Sequence, residues 1–348
     1  MISEETSKRI ISLRFILSVL IVFIHNCYNL EYSTTYGELV FNQSKAGDWI
    51  QCFISYGVAN CAVPLFFLFA AYIQARKSDP YIVLLKKKVK SLCVPYLIWT
   101  LLYFFYYTVV YKKNNDADWW TFKNIIHYLF GFSDTYGGLP EAAVHFWFIR
   151  ELIILTLISP VLVFLIKKIR LLFLLCVFVI ESAVEVKYMP YLMSSLLYYS
   201  LGLYWALYDF DLFKFVDKIK FWEIIPVFVL SFVVDKIQDL EVLNKLMLFS
   251  ICVIALKCSK QLITNEVVYN KLAYLSGFSF FLYVIHMPVI LDHARFLWLR
   301  FFPMKNTFFC LFEYFGVSIL TIVIGTSIGI LLRKICPPLF SLLSGGRK

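Results

Sequence analysis

Residues 10–29 of the chain read IISLRFILSVLIVFIHNCYN, a nearly continuous run of apolar side chains that contains one arginine, Arg14. A hydrocarbon core about 30 Å thick needs roughly 20 helical residues, so this run is long enough to cross a bilayer. It follows Lys8 and Arg9 and has no small-residue cleavage site. We therefore expect a retained first membrane span and not a cleaved signal peptide.

The same apolar pattern recurs along the whole chain, and it predicts ten spans. Their approximate bounds are 10–29, 51–74, 91–111, 144–166, 170–184, 189–208, 221–235, 242–257, 272–292 and 307–332. Of the 348 residues 61% are hydrophobic and only 16% are charged, and the mean hydropathy is +0.75. A soluble enzyme, a nucleic-acid-binding domain and a disordered chain are excluded, since none could hide so much apolar surface from water. The predicted fold class is all-α, a polytopic membrane helical bundle that forms one domain over 1–348 with no soluble extension.

The net charge of +10 indicates topology and not a nucleic-acid partner. With the N-terminus in the cytoplasm, the inner loops hold 21 of the 33 Lys and Arg residues and the outer loops hold 9. Because Lys and Arg gather in cytoplasmic loops, this bias predicts both termini inside, as in a bacterial plasma or inner membrane. The nine cysteines show no metal-ligand spacing, so we expect apolar fillers and no metal site.

Two polar residues of the first span lie on one face of the helix. Arg14 and His25 are separated by ten residues, which places them about 20° apart around the helix and about 16 Å apart along it. Ionisable groups in spans often mark a pathway or a site, so we predict a tunnel that touches both. The alternative is that Arg14 reaches toward the cytoplasmic headgroups and His25 hydrogen-bonds a neighbouring helix.

Four further segments, in order, carry recognisable motifs. Residues 64–73 read PLFFLFAAYI, and a basic run from Lys86 leads into VPYLIW at 94–99. HFWF at 145–148 is followed by the Ser-Pro pair at 159–160, and FSFFLYVIHMP occupies 278–288. Together with the Arg14-X10-His25 spacing, this order resembles the acyltransferase-3 family of integral membrane O-acyltransferases. Ile11, Phe15 and the Ala70-Ala71 pair depart from the family pattern, and Lys87 and Lys90 stand where the family usually has arginines.

The resemblance implies transfer of an acyl group, usually acetyl from acetyl-CoA, to a hydroxyl of a carbohydrate or glycolipid. Neutral His25 would then act as general base on the acceptor hydroxyl, as an imidazole can near neutral pH, and a covalent acyl-histidine is the alternative. Arg14 would hold the donor. Lys87 and Lys90 would bind the phosphates of acyl-CoA by charge-assisted hydrogen bonds, unless the basic run serves topology alone. No permanently bound cofactor is expected, and no oligomeric state is predicted.

The remaining candidates would line an acceptor pocket. They are His145, Trp147, Tyr283 and His286. For His286 the alternative is a hydrogen bond that fixes helix packing. Glu151 is interpreted as a structural partner of another helix or of Arg14.

Three functions stay open at this point. The preferred one is an O-acetyltransferase acting on an envelope polysaccharide or its lipid-linked precursor. The rivals are a transporter of a lipid-linked sugar and an acyltransferase for a small metabolite. The basic run from Lys86, which is predicted to face the cytoplasm, favours an enzyme over the transporter, because a transporter of a lipid-linked sugar needs no cytoplasmic donor site.

Overall fold

A computed structural model describes residues 2–27, 44–77, 79–110, 120–130, 141–184, 186 and 189–346. Throughout this part of the chain the regular elements are all helical, which confirms the all-α prediction. The helices are α1 Glu4–His25, α2 Lys45–Ala75, α3 Tyr81–Val109, α4 Phe122–Phe130, α5 Trp147–Ile169, α6 Leu171–Ala183, α7 Leu192–Leu207, α8 Leu212–Lys218, α9 Phe221–Gln238, α10 Glu241–Thr264, α11 Glu266–Ser276, α12 Ser279–Phe301, α13 Thr307–Ile335 and α14 Pro337–Leu343.

Six of the helices in the described ranges are long and apolar enough to cross a membrane. They are α2, α3, α12, α13, α10 and the segment Val144–Ile169 that contains α5. The helices α1, α6, α7 and α9 overlap the predicted spans at 10–29, 170–184, 189–208 and 221–235, but they are not among the six. A multi-pass membrane protein is therefore confirmed, whereas the count of ten and the placement of the termini stay predictions.

One predicted span begins at a different residue in the structure. The sequence places the ninth span at 272–292, but residue 272 lies within α11, which ends at Ser276. Gly277 caps that helix, and the next apolar helix begins at Ser279 and continues to Phe301. Hydropathy alone does not register the turn, because the residues on both sides of it are apolar.

Helix α1 begins where local capping dictates. The hydroxyl of Ser3 accepts a hydrogen bond from the backbone N–H of Thr6 at 3.1 Å, so one of the free donors of the first turn is satisfied. Glu4 and Glu5 add negative charge at the positive end of the helix dipole. The apolar residues that follow then carry the helix to His25.

The described chain forms two compact units, which are taken one at a time. The His25 unit contains Ile2–Phe66 and Asp211–Leu331, and the Glu151 unit contains Phe67–Phe210 and Leu332–Lys348. In the His25 unit, α1 packs against α10, α11 and the first turns of α12. A hydrophobic core along the carboxyl-terminal half of α1 contains side chains of α1, α12 and α13: Phe15, Val22, Leu282, Leu291, Ala294 and Val317.

In the Glu151 unit, α7 packs against both α5 and α6, and α14 packs against α3. Gly202 of α7 lies against the α2 backbone, where an added Cβ would lie 2.2 Å from the carbonyl oxygen of Leu68. Only glycine allows this approach. The prediction of one membrane domain over 1–348 stays a prediction.

Candidate functional site

The last residue of α1, His25, lies beside a second histidine. The ring centroids of His25 and His286 are 5.2 Å apart, and Tyr283 follows at 6.2 Å from His286. His25 is half-buried, whereas His286 and Tyr283 are buried. The structure thus joins three of the sequence-predicted site residues in the His25 unit.

His286 lies where α12 is interrupted. The backbone of Met287 is extended, with φ −132° and ψ 144°, between two helical stretches. The next residue is Pro288, and a residue before proline is sterically disfavoured from the helical region. Nδ1 of His286 lies 2.6 Å from the carbonyl oxygen of Tyr283. Because a carbonyl only accepts, Nδ1 carries the proton in the neutral ring and Nε2 bears the lone pair.

A buried polar network holds the end of α1. Arg295 donates from Nη2 to Oδ1 of Asn26 at 2.7 Å and to the carbonyl oxygen of His25 at 3.5 Å. Asn26 in turn donates to the carbonyl oxygen of Tyr314 at 2.9 Å and to the Ser318 hydroxyl at 3.1 Å. Carbonyls at a helix C-terminus lack helical partners, and a cation there is favoured by the helix dipole. Arg295 supplies a hydrogen-bond donor to the last carbonyl of α1 and a positive charge at that end of the helix.

A carboxylate and a hydroxyl complete the network. Nε of Arg295 lies 3.5 Å from Oε1 of the fully buried Glu313 on α13. Ser55 of α2 donates to the carbonyl oxygen of Phe23 at 2.8 Å, and its oxygen lies 2.7 Å from the Tyr314 hydroxyl. The final turn of α1 is therefore fixed by residues from α2, α12 and α13.

Arg14 has different surroundings from His25. Its side chain is half-buried, and within the described part of the chain no hydrogen bond or ion pair reaches its guanidinium. Between Arg14 and His25 on the same face, Ser18 is 1% exposed and Ile21 is 3% exposed. These two positions are therefore buried, and the tunnel that touches both Arg14 and His25 stays a prediction.

The start of α1 is held by a second charged cluster. Arg9 is fully buried and forms two hydrogen bonds of 2.9 Å with the carboxylate of Asp217 on α8. It also donates to the Ser259 hydroxyl at 2.9 Å and to the carbonyl oxygen of Leu256 at 2.8 Å. Burial opposes ionisation of Asp217, but hydrogen bonds and charge from Arg9 and Lys260 outweigh it and hold the pKa of that carboxyl below its ordinary value.

The two predicted donor lysines belong to the Glu151 unit. Lys87 is exposed and forms a salt bridge with Asp79 at 2.7 Å. Lys90 is also exposed, in the helical segment Val89–Cys93 of α3. Lys87 thus already has a counter-charge, and the role of the two lysines in binding the donor phosphates stays a prediction.

The remaining candidates also lie in the Glu151 unit. His145 is buried, with its ring 6.0 Å from that of Tyr103, and the ring of Trp147 lies 4.4 Å from that of Tyr191. Glu151 is buried and accepts a hydrogen bond of 2.6 Å from Ser195 on α7. This contact matches the predicted role of Glu151 as a partner of another helix.

Sequence reasoning missed Asn26, Arg295 and Glu313. Arg295 lies between the predicted spans 272–292 and 307–332, so the sequence does not place it in a span. Glu313 did carry a signal, because it is an acidic residue inside the predicted span 307–332. A systematic search for every charge in a span would have found it.

Comparisons with known proteins found a family and a relative for this chain. A family model described as an acyltransferase domain matches residues 8–334. The succinoglycan biosynthesis protein ExoH of Rhizobium meliloti (strain 1021) is 25% identical over 367 residues, which cover 99% of this chain and 93% of that protein. No solved structure matches.

The family match extends over nearly the whole chain and includes the helix that carries Arg14 and His25. An enzyme is therefore indicated, and the transporter alternative is set aside. The chain belongs to the acyltransferase-3 family and is a multi-pass membrane O-acyltransferase.

Proposed function

We propose that this chain transfers an acetyl group from cytoplasmic acetyl-CoA to a hydroxyl of an envelope polysaccharide or of its lipid-linked precursor. The observation that carries the proposal is the pair of imidazoles, His25 and His286, at the end of the helix that also bears Arg14. The name of the relative ExoH, a protein of succinoglycan biosynthesis, supports a polysaccharide acceptor. The protein would act in a bacterial plasma or inner membrane.

His25 is the proposed general base. It removes the proton of the acceptor hydroxyl as the oxygen attacks the thioester carbonyl carbon. The C–O bond forms, the C–S bond breaks, and the sulfur of CoA leaves and takes up the proton that the imidazole removed. His286 lies beside His25, Tyr283 lies beside His286, and both residues of α12 would contact the acceptor.

Arg14 is the proposed donor contact. A guanidinium in an apolar helix is costly unless an anion or a polar group offsets it. Since no acidic side chain in the described ranges pairs with Arg14, a phosphate or the polar pantetheine chain of the donor would fill this role. Lys90 would add a charge-assisted contact to a CoA phosphate. His145 and Trp147 are proposed as further acceptor contacts.

The proposal is tested by the surface glycan itself. Polysaccharide from wild-type and deletion strains is compared by mass spectrometry, with complementation by wild-type protein as control. We expect the deletion to remove an acetyl mass increment while the amount of exported glycan is unchanged. A glycan that keeps all its acetyl groups would contradict the polysaccharide acceptor. If the deletion strain keeps the acetyl groups of its glycan but lacks an acetylated small metabolite, that metabolite is the acceptor.

A further inference from the structure

Arg295 lies between a buried carboxylate and the end of α1. Its side chain reaches Asn26 and the His25 carbonyl with one nitrogen, Nη2, and Glu313 with another, Nε. A planar guanidinium has several donors in a fixed arrangement, so it can hold partners in two directions at once. A lysine ammonium has no such arrangement, because it is a single point on a flexible stem.

The position of Arg295 on α12 makes this contact informative. His286 and Arg295 belong to the same helix, on either side of the break at Met287. His286 lies beside the imidazole ring of His25 at 5.2 Å between centroids. Arg295 contacts the backbone of the same residue. One helix thus touches His25 from two sides, once at its ring and once at its main chain.

We propose that Arg295 is a positioning residue for His25. Balanced by Glu313, its guanidinium fixes Asn26 and the last carbonyl of α1, and so sets where the His25 imidazole lies relative to His286. The inference rests on the proposed role of His25 as general base. Arg295 itself contacts neither substrate nor reacting atoms in this scheme.

The obvious variant, Arg295→Met, leaves the buried Glu313 carboxylate without its counter-charge, and such a change is strongly destabilising. The test therefore uses the double variant Arg295→Met/Glu313→Leu, which removes both charges of this pair and keeps side chains of similar volume; the half-buried Asp292, whose carboxylate lies 3.8 Å from Nη1 of Arg295, is left in place. Replacement of a whole buried ion pair by apolar residues is often neutral for stability. Folding is checked by monodisperse elution in detergent.

Activity is measured as transfer of label from radiolabelled acetyl-CoA to the glycan in membranes with equal amounts of protein. We expect kcat to fall about 100-fold, the loss that a misplacement of roughly 1 Å can cause. The KM for acetyl-CoA should change by less than about threefold, since no donor contact is removed. Arg300→Met is the matched control, because Arg300 lies on the same helix and is exposed. It should leave both constants unchanged.

A second variant keeps the test decisive if the double variant does not fold. Asn26→Ala removes the main acceptor of Arg295 but leaves the Arg295–Glu313 pair in place. It should show the same fall in kcat at an unchanged KM. A fall in kcat of less than tenfold in a folded double variant, or in Asn26→Ala when the double variant does not fold, would overturn the inference, and so would a rise in KM without loss of kcat.

The failure of this inference is distinguishable from that of the proposed function. If His25→Ala retains transfer, the general base is assigned wrongly and the role of Arg295 falls with it. If His25→Ala is inactive while Arg295→Met/Glu313→Leu keeps its kcat, only the positioning role is wrong. Arg295 would then serve merely to balance Glu313.

Discussion

His25 and Arg14 lie on the same helix but differ in the charged groups around them. His25 adjoins a network in which each charge has a partner within 4 Å, as Arg295 has in Glu313. Arg14 has no such partner among the described residues. At the scale of single residues, this difference fits the proposed roles, in which His25 is a preorganised general base and Arg14 binds an anionic group of the donor.

The first prediction concerns the base. His25→Ala should abolish acetyl transfer while protein remains in the membrane, because it removes a proton acceptor and leaves the main-chain contacts of residue 25 in place. Label transfer at equal protein level is the measurement. His293→Ala is the control, since that imidazole is exposed on the same helix as His286. Transfer within severalfold of wild type would remove His25 from the mechanism.

The second prediction concerns the donor. Lys90→Gln should raise the KM for acetyl-CoA and weaken its dependence on salt, while kcat stays near normal, because a phosphate contact is lost. Lys87→Gln should have the smaller effect, since Lys87 is paired with Asp79. The control is Lys334→Gln, an exposed basic residue near the end of α13. Equal KM values for Lys90→Gln and wild type would return Lys90 to a purely topological role.

Sequence could find residues that stand out against their surroundings, but not their partners. Arg14 and His25 are conspicuous in an apolar run, and the spacing of the two is a recognisable motif. Asn26 looks like an ordinary polar residue at a span end, and its link to Arg295 joins positions 269 residues apart. Such long-range contacts depend on packing, which a single sequence does not encode locally.

At the scale of elements, short helices outside the apolar spans stabilise long ones. Helix α8 supplies Asp217 to the buried Arg9 and packs the ring of Phe213 4.1 Å from the Arg9 guanidinium carbon. In the sequence, Arg9 precedes the first predicted span and Asp217 lies between the predicted spans 189–208 and 221–235, and neither position indicates that the two residues pair. The break at Met287 was not predicted either, although Pro288 in an apolar run is a signal for one.

The third prediction concerns the pH dependence of the contact between Arg9 and Asp217. The pKa of Asp217 is lower in the folded protein than its ordinary value of 3.8. Its ionised form therefore stabilises the fold above that ordinary value, and the stabilisation is lost as the pH falls below it through the folded pKa. We expect Asp217→Asn to lower the Tm in detergent at pH 7, and the difference from wild type to close below about pH 4.

The matched control for Asp217→Asn is Asp239→Asn, since Asp239 is exposed and its left-handed backbone suits asparagine equally well. This control should match wild type at both pH values. If the Asp217→Asn difference persists undiminished in acid, the charge of Asp217 is not what stabilises α8 against α1.

The fourth prediction concerns the contact of α7 with α2. Gly202→Ala places a Cβ 2.2 Å from the Leu68 carbonyl oxygen and 2.9 Å from the Ala71 Cβ. A backbone carbonyl cannot rotate away, so the helices must separate, at a cost of about 1–3 kcal/mol. The Tm of Gly202→Ala should therefore fall. Gly57→Ala is the control, because the atom nearest to its added Cβ is a Phe232 ring carbon at 3.2 Å. An unchanged Tm for Gly202→Ala would contradict the close approach of α7 to α2.

At the scale of the whole molecule, the open question is which loops face the cytoplasm. The fifth prediction is that both termini do, as the bias of Lys and Arg indicates. Fluorescent-protein fusions at the carboxyl end and after Lys218 should fluoresce, and alkaline phosphatase fused after Phe302 should be active. An active phosphatase at the carboxyl end would reverse the topology and, with it, the side from which acetyl-CoA reaches Arg14.

Helix α1 is fastened at both ends, by Arg9 to α8 and α10 and by Asn26 to α12 and α13. The number of residues between these two anchors is therefore fixed. One inserted residue would rotate all that follows by about 100° and advance it by about 1.5 Å, so the two anchors could not both keep their partners. The ten residues between Arg14 and His25 thus form a spacer of fixed length, and the distance from the proposed donor contact to the proposed general base does not depend on changes in the surrounding loops.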